Sequence, residues 1–581
     1  MGAFFRQLFA TILALVIVLF GGILLLAVVG SSKKTVIPAH ATLDLVMPTS
    51  LAEYPPTREK PFGDRPLTLH DLRMSLRKAA VDKKIDRVLI RMGFDDMGWA
   101  SIEELRQEIA ATRKAGKPVY AYCEWLTFKN EYLGAACDSI WLAPDAFVIL
   151  TGINGEREFH KGLMDKLGIQ MRVHKIEKYK AAGEIDIRTD MSPEARENAQ
   201  WVMDETMKHV VPQILADRKQ DQAWWDGVLA QAVMRAPQAV ELGLADRLVY
   251  WNDLKDQWQG DGSSDLTNRI VGGLKYADVR PAEVGLRGKL RIAVIHAQGA
   301  IAGAKSGANP LLGGSTMGHE TLNAEIRKVA ADKSIDAVVF RIDSPGGDTF
   351  ASDVIRQQVE RLSSKKKVVV SMGDVAGSGG YMIAYCAPTI MANATTRTGS
   401  IGSIFQIPYA KGLMDKIGIS YDRVTYGPNA TMISLFVPWT AQQESLVIKT
   451  HWAGYNEWVA DVAIKRHMTF DQVDGLARGR VWTGTQAAAN GLIDTVGTLD
   501  DAIALAAKLA GGAAGEMVSE VHYPKQVSFF EAIQAGDFDL ARSILALSLF
   551  KDATAPVRNA WESTRDWVLT PELAIMPEES R

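Results

Sequence analysis

The sequence KGLMDKLGI at residues 161–169 returns as KGLMDKIGI at residues 411–419, and this repetition decides the fold. Eight of the nine positions are identical, and the shift is 250 residues. The same shift relates VDKKIDRVLIRM, which begins at Val81, to ADKSIDAVVFRI, which begins at Ala331. YLGAAC also returns as YMIAYC, and ELGLADRL returns as ANGLIDTV, at nearly the same shift. Similarity at a fixed interval indicates two copies of one structural unit.

Alternating helices and strands are predicted within each copy. In the second copy TLNAEIRKVAAD predicts a helix, AVVFRI a buried strand, SDVIRQQVERLSS an amphipathic helix and KKVVVSM a second strand. SGGYMIAYCA then predicts a short helix that Pro388 ends. Strands that alternate with helices favour a parallel sheet with right-handed crossovers. The predicted fold class is therefore α/β, in two tandem copies.

These patterns also give the domain limits. We expect a short N-terminal segment with a membrane anchor at residues 1–34, a first repeat at 35–285, a second repeat at 286–511 and a C-terminal tail at 512–581. A polar stretch around QGDGSSD, at residues 253–288, is typical of a linker between the copies.

The N-terminal segment carries an uncharged run, LFATILALVIVLFGGILLLAVVG, at residues 8–30. This run is long enough to cross a hydrocarbon core of about 30 Å as a helix. A cleaved signal peptide usually has a shorter apolar region and a small-residue cleavage site, and AVVGSS matches such a site poorly. The segment therefore predicts an uncleaved anchor in a lipid bilayer, although its flanking charges do not fix its orientation.

Charge and cysteine content exclude some classes of function. Lys and Arg number 65 against 68 Asp and Glu, so no basic excess points to a nucleic-acid partner. The three cysteines form no CxxC pair, and we expect buried, inert thiols rather than a metal or redox site.

Two glycine-bearing turns in the second copy carry the candidate chemistry. Residues 344–348, SPGGD, follow a predicted strand, and paired glycines leave backbone N–H groups free, as an oxyanion hole needs. An ordinary strand-to-helix turn with Asp348 as N-cap is the alternative. Residues 376–380, AGSGG, place Ser378 at a helix N-terminus, where it is either a nucleophile or a capping residue.

The first copy lacks both features. It has Lys129 where the second copy has Ser378, and FDDM where the second copy has SPGG. Residues needed only for the fold should persist in both copies, so their loss favours Ser378 as a nucleophile. A nucleophilic serine needs a base. No histidine lies in a recognisable motif, although His296 and His319 lie near the front edge of the second copy. Spacing alone does not choose among the lysines of HKIEKYKAAGE at residues 174–184.

At this point the sequence resembles the signal peptide peptidase A family, also called protease IV, in its long two-domain form. RIDSPGGD, DVAGSGGY, RTGSIG and EKYKAAGE occur in the family's order, and the likeness extends from the anchor to about residue 510. The resemblance implies Ser378 as nucleophile, Lys180 as general base, Ser400 as the serine that orients the lysine, and the N–H groups of Gly347 and Gly379 as oxyanion donors. Ala181 stands where the family commonly has serine.

The resemblance further implies a crotonase-like fold, shared with Clp protease subunits, and catalysis without metal or cofactor. It implies a homotetramer on the periplasmic side of the bacterial inner membrane that degrades signal peptides and other extended apolar peptides. Two alternatives stay open: an acyl-CoA enzyme on the same fold, and a catalytically inactive membrane scaffold.

Overall fold

A computed structural model of the protein describes residues 36–55, 65–93, 96–176, 178–259, 268–308 and 315–525. The predicted anchor and most of the predicted tail lie outside these residues. Within them, no helix has the length and apolar character needed to cross a bilayer. Both repeats belong to one compact unit, formed by Thr35–Pro55 and Pro66–Pro524.

The first repeat contains eight strands and nine helices among the described residues. Its strands are β1 (Ala41–Val46), β2 (Ile85–Met92), β3 (Val119–Leu126), β4 (Ser139–Ile149), β5 (Gln170–Lys175), β6 (Val233–Arg235), β7 (Arg247–Leu248) and β8 (Ile270–Gly272). Its helices are α1 (Leu69–Val81), α2 (Trp99–Lys114), α3 (Phe128–Gly134), α4 (Lys161–Leu167), α5 (Pro193–Arg218), α6 (Gln222–Gln231), α7 (Ala236–Glu241), α8 (Trp251–Trp258) and α9 (Gly273–Ala277).

The second repeat follows the same plan. Its strands are β9 (Arg291–Gln298), β10 (Ala300–Ile301), β11 (Gly307–Ala308), β12 (Ser315–Met317), β13 (Ala337–Ser344), β14 (Lys367–Gly377), β15 (Ile390–Ala392), β16 (Arg397–Gly399), β17 (Ile404–Tyr409), β18 (Val481–Thr483), β19 (Thr495–Val496) and β20 (Ser519–Tyr523). Its helices are α10 (His319–Ala331), α11 (Thr349–Ser363), α12 (Gly379–Met382), α13 (Lys411–Lys416), α14 (Ala441–Arg466), α15 (Phe470–Leu476), α16 (Gly484–Ala489) and α17 (Leu499–Leu509). Short 3-10 helices cover Ala182–Asp186 and Pro281–Val284.

The two main sheets have the same strand order. One runs β6-β4-β3-β2-β1-β8 and the other β18-β16-β14-β13-β9-β20, so each central strand has a counterpart. Neighbours pair in parallel except at β4–β6 and β16–β18. The central strands are almost wholly buried, as parallel strands covered on both faces must be. The duplicated α/β fold predicted from the sequence is confirmed.

The repeats are longer than the sequence similarity indicates. Strand β8 pairs with β1 and lies in the segment predicted as a linker. Strand β20 pairs with β9 and lies in the segment predicted as a tail. Each strand completes its sheet at the same edge, although only Val271 and Val521 are identical between them at the 250-residue shift. The second sheet therefore extends past the predicted limit at residue 511.

Buried charges join the two repeats. Arg341, on β13, is fully buried and lies 3.0 Å from Glu53 and 3.1 Å from Glu104, both in the first repeat. Burial raises the pKa of Glu104, and the guanidinium of Arg341 opposes that rise. Removing either partner would leave an uncompensated charge, which typically costs about 3–5 kcal/mol.

The N-terminus of α2 is capped from the other repeat. Its N-cap residue, Gly98, has no side chain to accept a hydrogen bond. The carboxylate of Asp374, four residues before Ser378, instead accepts hydrogen bonds from Ala100 N–H at 2.9 Å and Ser101 N–H at 3.1 Å. A Cβ at Gly98 would overlap that carboxylate. The strand that leads to Ser378 is therefore tied to the first repeat.

Candidate active site

Ser378 lies in a strained turn between β14 and α12. Its φ of 55° and ψ of −117° are unusual for a residue with a side chain, and such strain is held only where the surroundings enforce it. Its N–H donates to Gly399 O at 2.9 Å. Its side chain caps no backbone group of α12, so the capping role left open by the sequence is wrong. The hydroxyl is free to take part in another contact.

That contact is with Lys180. Strand β5 of the first repeat, which precedes Lys180, pairs antiparallel with β17 of the second repeat. This two-stranded sheet brings the lysine segment of the first repeat next to the second repeat. Lys180 Nζ lies 2.9 Å from Ser378 Oγ. It also lies 3.0 Å from both Ser400 O and Ser400 Oγ. The structure therefore brings together the three side chains that the resemblance implied.

Burial changes the protonation of this lysine. Only 5% of Lys180 is exposed, and removal from water lowers its pKa to about 8. An ordinary lysine titrates near 10.4, so the neutral fraction at pH 7 rises roughly 200-fold, to about a tenth. A neutral amine within hydrogen-bond distance of a hydroxyl is able to accept its proton.

The turn at residues 344–348 packs against the serine turn. Gly346 and Gly347 have φ values of 97° and 153°, which strongly favour glycine. A Cβ on Gly346 would lie 2.6 Å from Gly379 N, so the two turns touch through their backbones. Among the described residues, none accepts a hydrogen bond from the N–H of Gly347 or of Gly379. Asp348 caps α11 through Ala351 N–H at 2.7 Å, so the turn has a structural role as well.

Comparisons with known proteins place this geometry in a family. A model described as peptidase family S49 matches residues 111–261 and 360–512, more than half of the chain. The chain belongs to peptidase family S49. It is 33% identical to "Serine protease SPPA, chloroplastic" of Arabidopsis thaliana over 76% of its length and 66% of that protein's. It is 33% identical to "Protease 4" of Salmonella typhi over 76% of its length and 72% of that protein's.

The S49 chain is thus a serine protease of the long type with two repeats. Among solved structures, a mutant of a membrane-bound stomatin-specific protease is 14% identical to this chain, with a TM-score of 0.25. The match covers 40% of this chain and 97% of that protein's chain. A TM-score of 0.25 is too low to assign the fold from this structure. The crotonase-like and Clp-like assignment stays a prediction.

The equivalent positions in the other half of this S49 peptidase hold different side chains. Lys129, at the position of Ser378, lies 3.1 Å from Asp96 and is partly exposed. Ala430, at the position of Lys180, lies in a fully exposed segment. The lysine therefore comes from one repeat and the serine from the other, and the two side chains meet within one chain.

Other candidates lie elsewhere. Lys175, in the same run as Lys180, pairs with the buried Glu184 at 2.5 Å. His296 stacks on Tyr54 with ring centroids 4.0 Å apart, and burial holds its pKa well below the usual range. His319 packs on Phe350. No hydrogen bond among the described residues joins either histidine to Ser378. The three cysteines are free and buried.

Two further features of the site were not predictable from the sequence. One is Asp374, which caps α2 across the repeats. The other is the loop at residues 478–480, whose first carbonyl accepts a hydrogen bond from Tyr179 N–H beside Lys180. Both features join segments that are far apart in the chain, so no local sequence pattern predicts them.

Proposed function

We propose that this S49 protease is an endopeptidase with a Ser378–Lys180 dyad. The observation that carries the proposal is the 2.9 Å hydrogen bond between a buried, water-poor amine and the hydroxyl of a strained serine. Neutral Lys180 takes the proton of Ser378 Oγ as that oxygen attacks the peptide carbonyl. The resulting ammonium protonates the leaving amine, and Lys180 then activates a water that releases the acyl group.

Neighbouring groups support both steps. The Gly347 and Gly379 N–H groups, which have no described acceptor, are proposed to hold the negative oxygen of the tetrahedral intermediate. Ser400 approaches Lys180 Nζ through two of its oxygens and is proposed to orient the amine. An acyl-CoA enzyme or an inert scaffold would need no such pairing of Lys180 with Ser378.

Covalent labelling tests the dyad. The full-length protein is treated with a fluorophosphonate, and the modified residue is mapped by mass spectrometry. We expect modification at Ser378 in the wild type, none in Ser378→Ala, and a rate at least a hundredfold lower in Lys180→Met near pH 7. Unchanged labelling or peptide hydrolysis in Lys180→Met would remove the lysine from this role.

We propose that the substrates are extended apolar peptides, above all signal peptides left in the membrane after preprotein processing. Exposed phenylalanines near the site in sequence support an apolar substrate: Phe350 is 69% exposed and follows Gly347 by three residues, and Phe405 is 41% exposed on β17. An anchor at residues 8–30 would confine the enzyme to the periplasmic face of the bacterial inner membrane. The test is cleavage of a signal peptide in proteoliposomes, with an equally long polar peptide as control.

We also propose that copies assemble head to tail, as a homotetramer. Strand β5 follows α4 in the first repeat, and strand β17 precedes α13 in the second. The two strands pair within one chain, with Gln170 opposite Tyr409. A shift of 250 residues places the equivalents at residues 420–425 and 154–159, which the structure leaves without strand pairing. Val424, at 102% exposure, lies in the first of them. Repetition of the same contact between chains generates a ring where the rotation closes, and the proposed ring closes after four copies.

The proposed contact has a defined register. Ser420 of one copy would face Phe159 of the next, and Arg423 would face Glu156. A Glu156→Cys and Arg423→Cys double variant should therefore form disulfide-linked chains on oxidation. Glu156→Cys combined with Asp253→Cys, an exposed position in another element, should not. Equal crosslinking in both variants would overturn the register.

A further inference from the structure

The loop at residues 478–480 lies between the two segments that carry the lysine and its orienting serine. Its first carbonyl accepts a hydrogen bond from Tyr179 N–H at 3.1 Å, one residue before Lys180. Its last carbonyl accepts a hydrogen bond from Ser400 N–H at 2.7 Å, and its central N–H donates to Ile401 O at 2.8 Å. The loop therefore connects both segments through backbone bonds.

The middle residue of the loop permits a close approach. Gly479 has a φ of 80°, and a Cβ at this position would overlap the backbone of Lys180. A side chain here would displace the lysine from the loop. The backbone of Lys180 is therefore packed directly against residues of the other repeat.

The side chain of the third loop residue, Arg480, binds the first repeat. Its guanidinium carbon lies 4.1 Å from the ring centroid of Tyr179, 4.7 Å from that of Trp201 and 5.6 Å from that of Trp482. One of its nitrogens lies 3.2 Å from Glu197. Only 20% of the side chain is exposed, so the aromatic rings cover most of it. Planar stacking and a carboxylate partner are the contacts for which arginine is suited.

We propose that Arg480 is a positioning residue that holds Lys180 against Ser378 and Ser400. Its carbonyl fixes the serine segment, and its guanidinium fixes Tyr179, the residue beside the lysine. The proposal rests on the dyad proposed above. Glu197 and Trp201 belong to α5 of the first repeat, so one side chain joins both halves of the composite site.

Loss of this contact should change the surroundings of the lysine. Burial is what lowers the pKa of Lys180, and the 478–480 loop packs against the backbone and Cβ of this lysine. If the loop moves away, water reaches the amine and its pKa rises toward the ordinary value. Each unit of rise lowers the neutral fraction at pH 7 by about tenfold, and higher pH restores it.

The test compares Arg480→Met with wild type in the full-length protein. We expect kcat/KM at pH 7 to fall at least tenfold, the midpoint of its pH profile to move up by about one unit or more, and most of the loss to be recovered near pH 10. Arg480→Lys should behave like Arg480→Met, because an ammonium lacks the planar stack.

Arg91→Met is the matched control. Arg91 is 25% exposed, lies 2.8 Å from Asp44 and stacks at 4.4 Å on Trp251, so it has the same kind of contacts away from the site. We expect its pH profile to match that of the wild type. A midpoint shift in Arg91→Met as large as that in Arg480→Met would overturn the proposal.

Variants of Tyr179 test the same contact if the Arg480 variants fold poorly. Tyr179→Phe keeps the ring that Arg480 covers and should keep the wild-type profile, whereas Tyr179→Leu should shift it. A loss of activity with an unchanged midpoint in Tyr179→Leu or Arg480→Met would show a general structural role and refute the proposal. Failure of the dyad itself is distinct, because the wild-type profile would then lack a lysine midpoint.

Discussion

The pH dependence of the wild-type reaction follows from the position of Lys180. Burial lowers the pKa of this lysine to about 8. A general base acts only without its proton, so kcat/KM should rise by about tenfold per pH unit well below pH 8 and level off above it. From pH 7 to pH 9 the neutral fraction grows from about 0.09 to about 0.9, a rise of about tenfold. An exposed lysine would give a rise of about a hundredfold with no plateau.

Two measurements on the full-length protein in detergent check this expectation. One is kcat/KM for a fluorogenic peptide between about pH 5.5 and pH 10.5, and the other is the rate at which a fluorophosphonate modifies Ser378 over the same range. Lys178→Met serves as the control, since Lys178 lies two residues from Lys180 but is exposed. A midpoint near 6.5, typical of histidine, or a rise that continues through pH 10 would refute the reasoning.

Three further predictions concern stability and the orientation of the lysine. The free energy of unfolding of the wild type should rise by about 1.4 kcal/mol between pH 7 and pH 9, because the folded Lys180 loses its proton near pH 8 while the unfolded one keeps it to about pH 10.4. Lys180→Met should lack this rise, and urea unfolding at both pH values measures the difference. Asp374→Ala should lower the free energy of unfolding by about 1–3 kcal/mol by uncapping α2, against about 1 kcal/mol for Asp221→Ala at the exposed cap of α6, again by urea unfolding. Ser400→Ala should lower kcat by about ten- to a hundredfold with little change in KM, as measured by steady-state kinetics. A rise in KM as large as the fall in kcat would contradict an orienting role.

Local sequence patterns were sufficient for the central elements of the fold. AVVFRI lies within Ala337–Ser344, and all but the first residue of KKVVVSM lie within β14, because long apolar runs bounded by helices leave few alternatives. The edge strands β8 and β20 were missed, since each is at most five residues long and only Val271 and Val521 are identical there at the 250-residue shift. Strands this short gain their stability from the neighbour with which they pair rather than from their own sequence.

The residues of the candidate site were also predictable from the sequence only in part. The Ser378 turn was recognisable because the other copy has lost it. Lys180 was not identifiable from spacing, since a run of lysines is typical of a solvated surface and its contact with Ser378 joins residues 198 positions apart. Only the family resemblance singled it out. Arg480 and Asp374 act through contacts between the repeats, and no periodicity in either segment reflects such contacts.

The buried arginine between the repeats limits how the chain can be divided. Arg341 and Arg91 occupy equivalent positions, yet Arg91 pairs with Asp44 in its own half at a partly open surface, and Arg341 depends on Glu53 and Glu104 of the other half. A fragment with only the second half would lack both of the glutamates with which Arg341 forms ion pairs. We therefore expect neither fragment to fold when synthesised alone, and both to recover by complementation when synthesised together. The duplication would then have turned two similar halves into obligate partners, each of which needs the charges of the other.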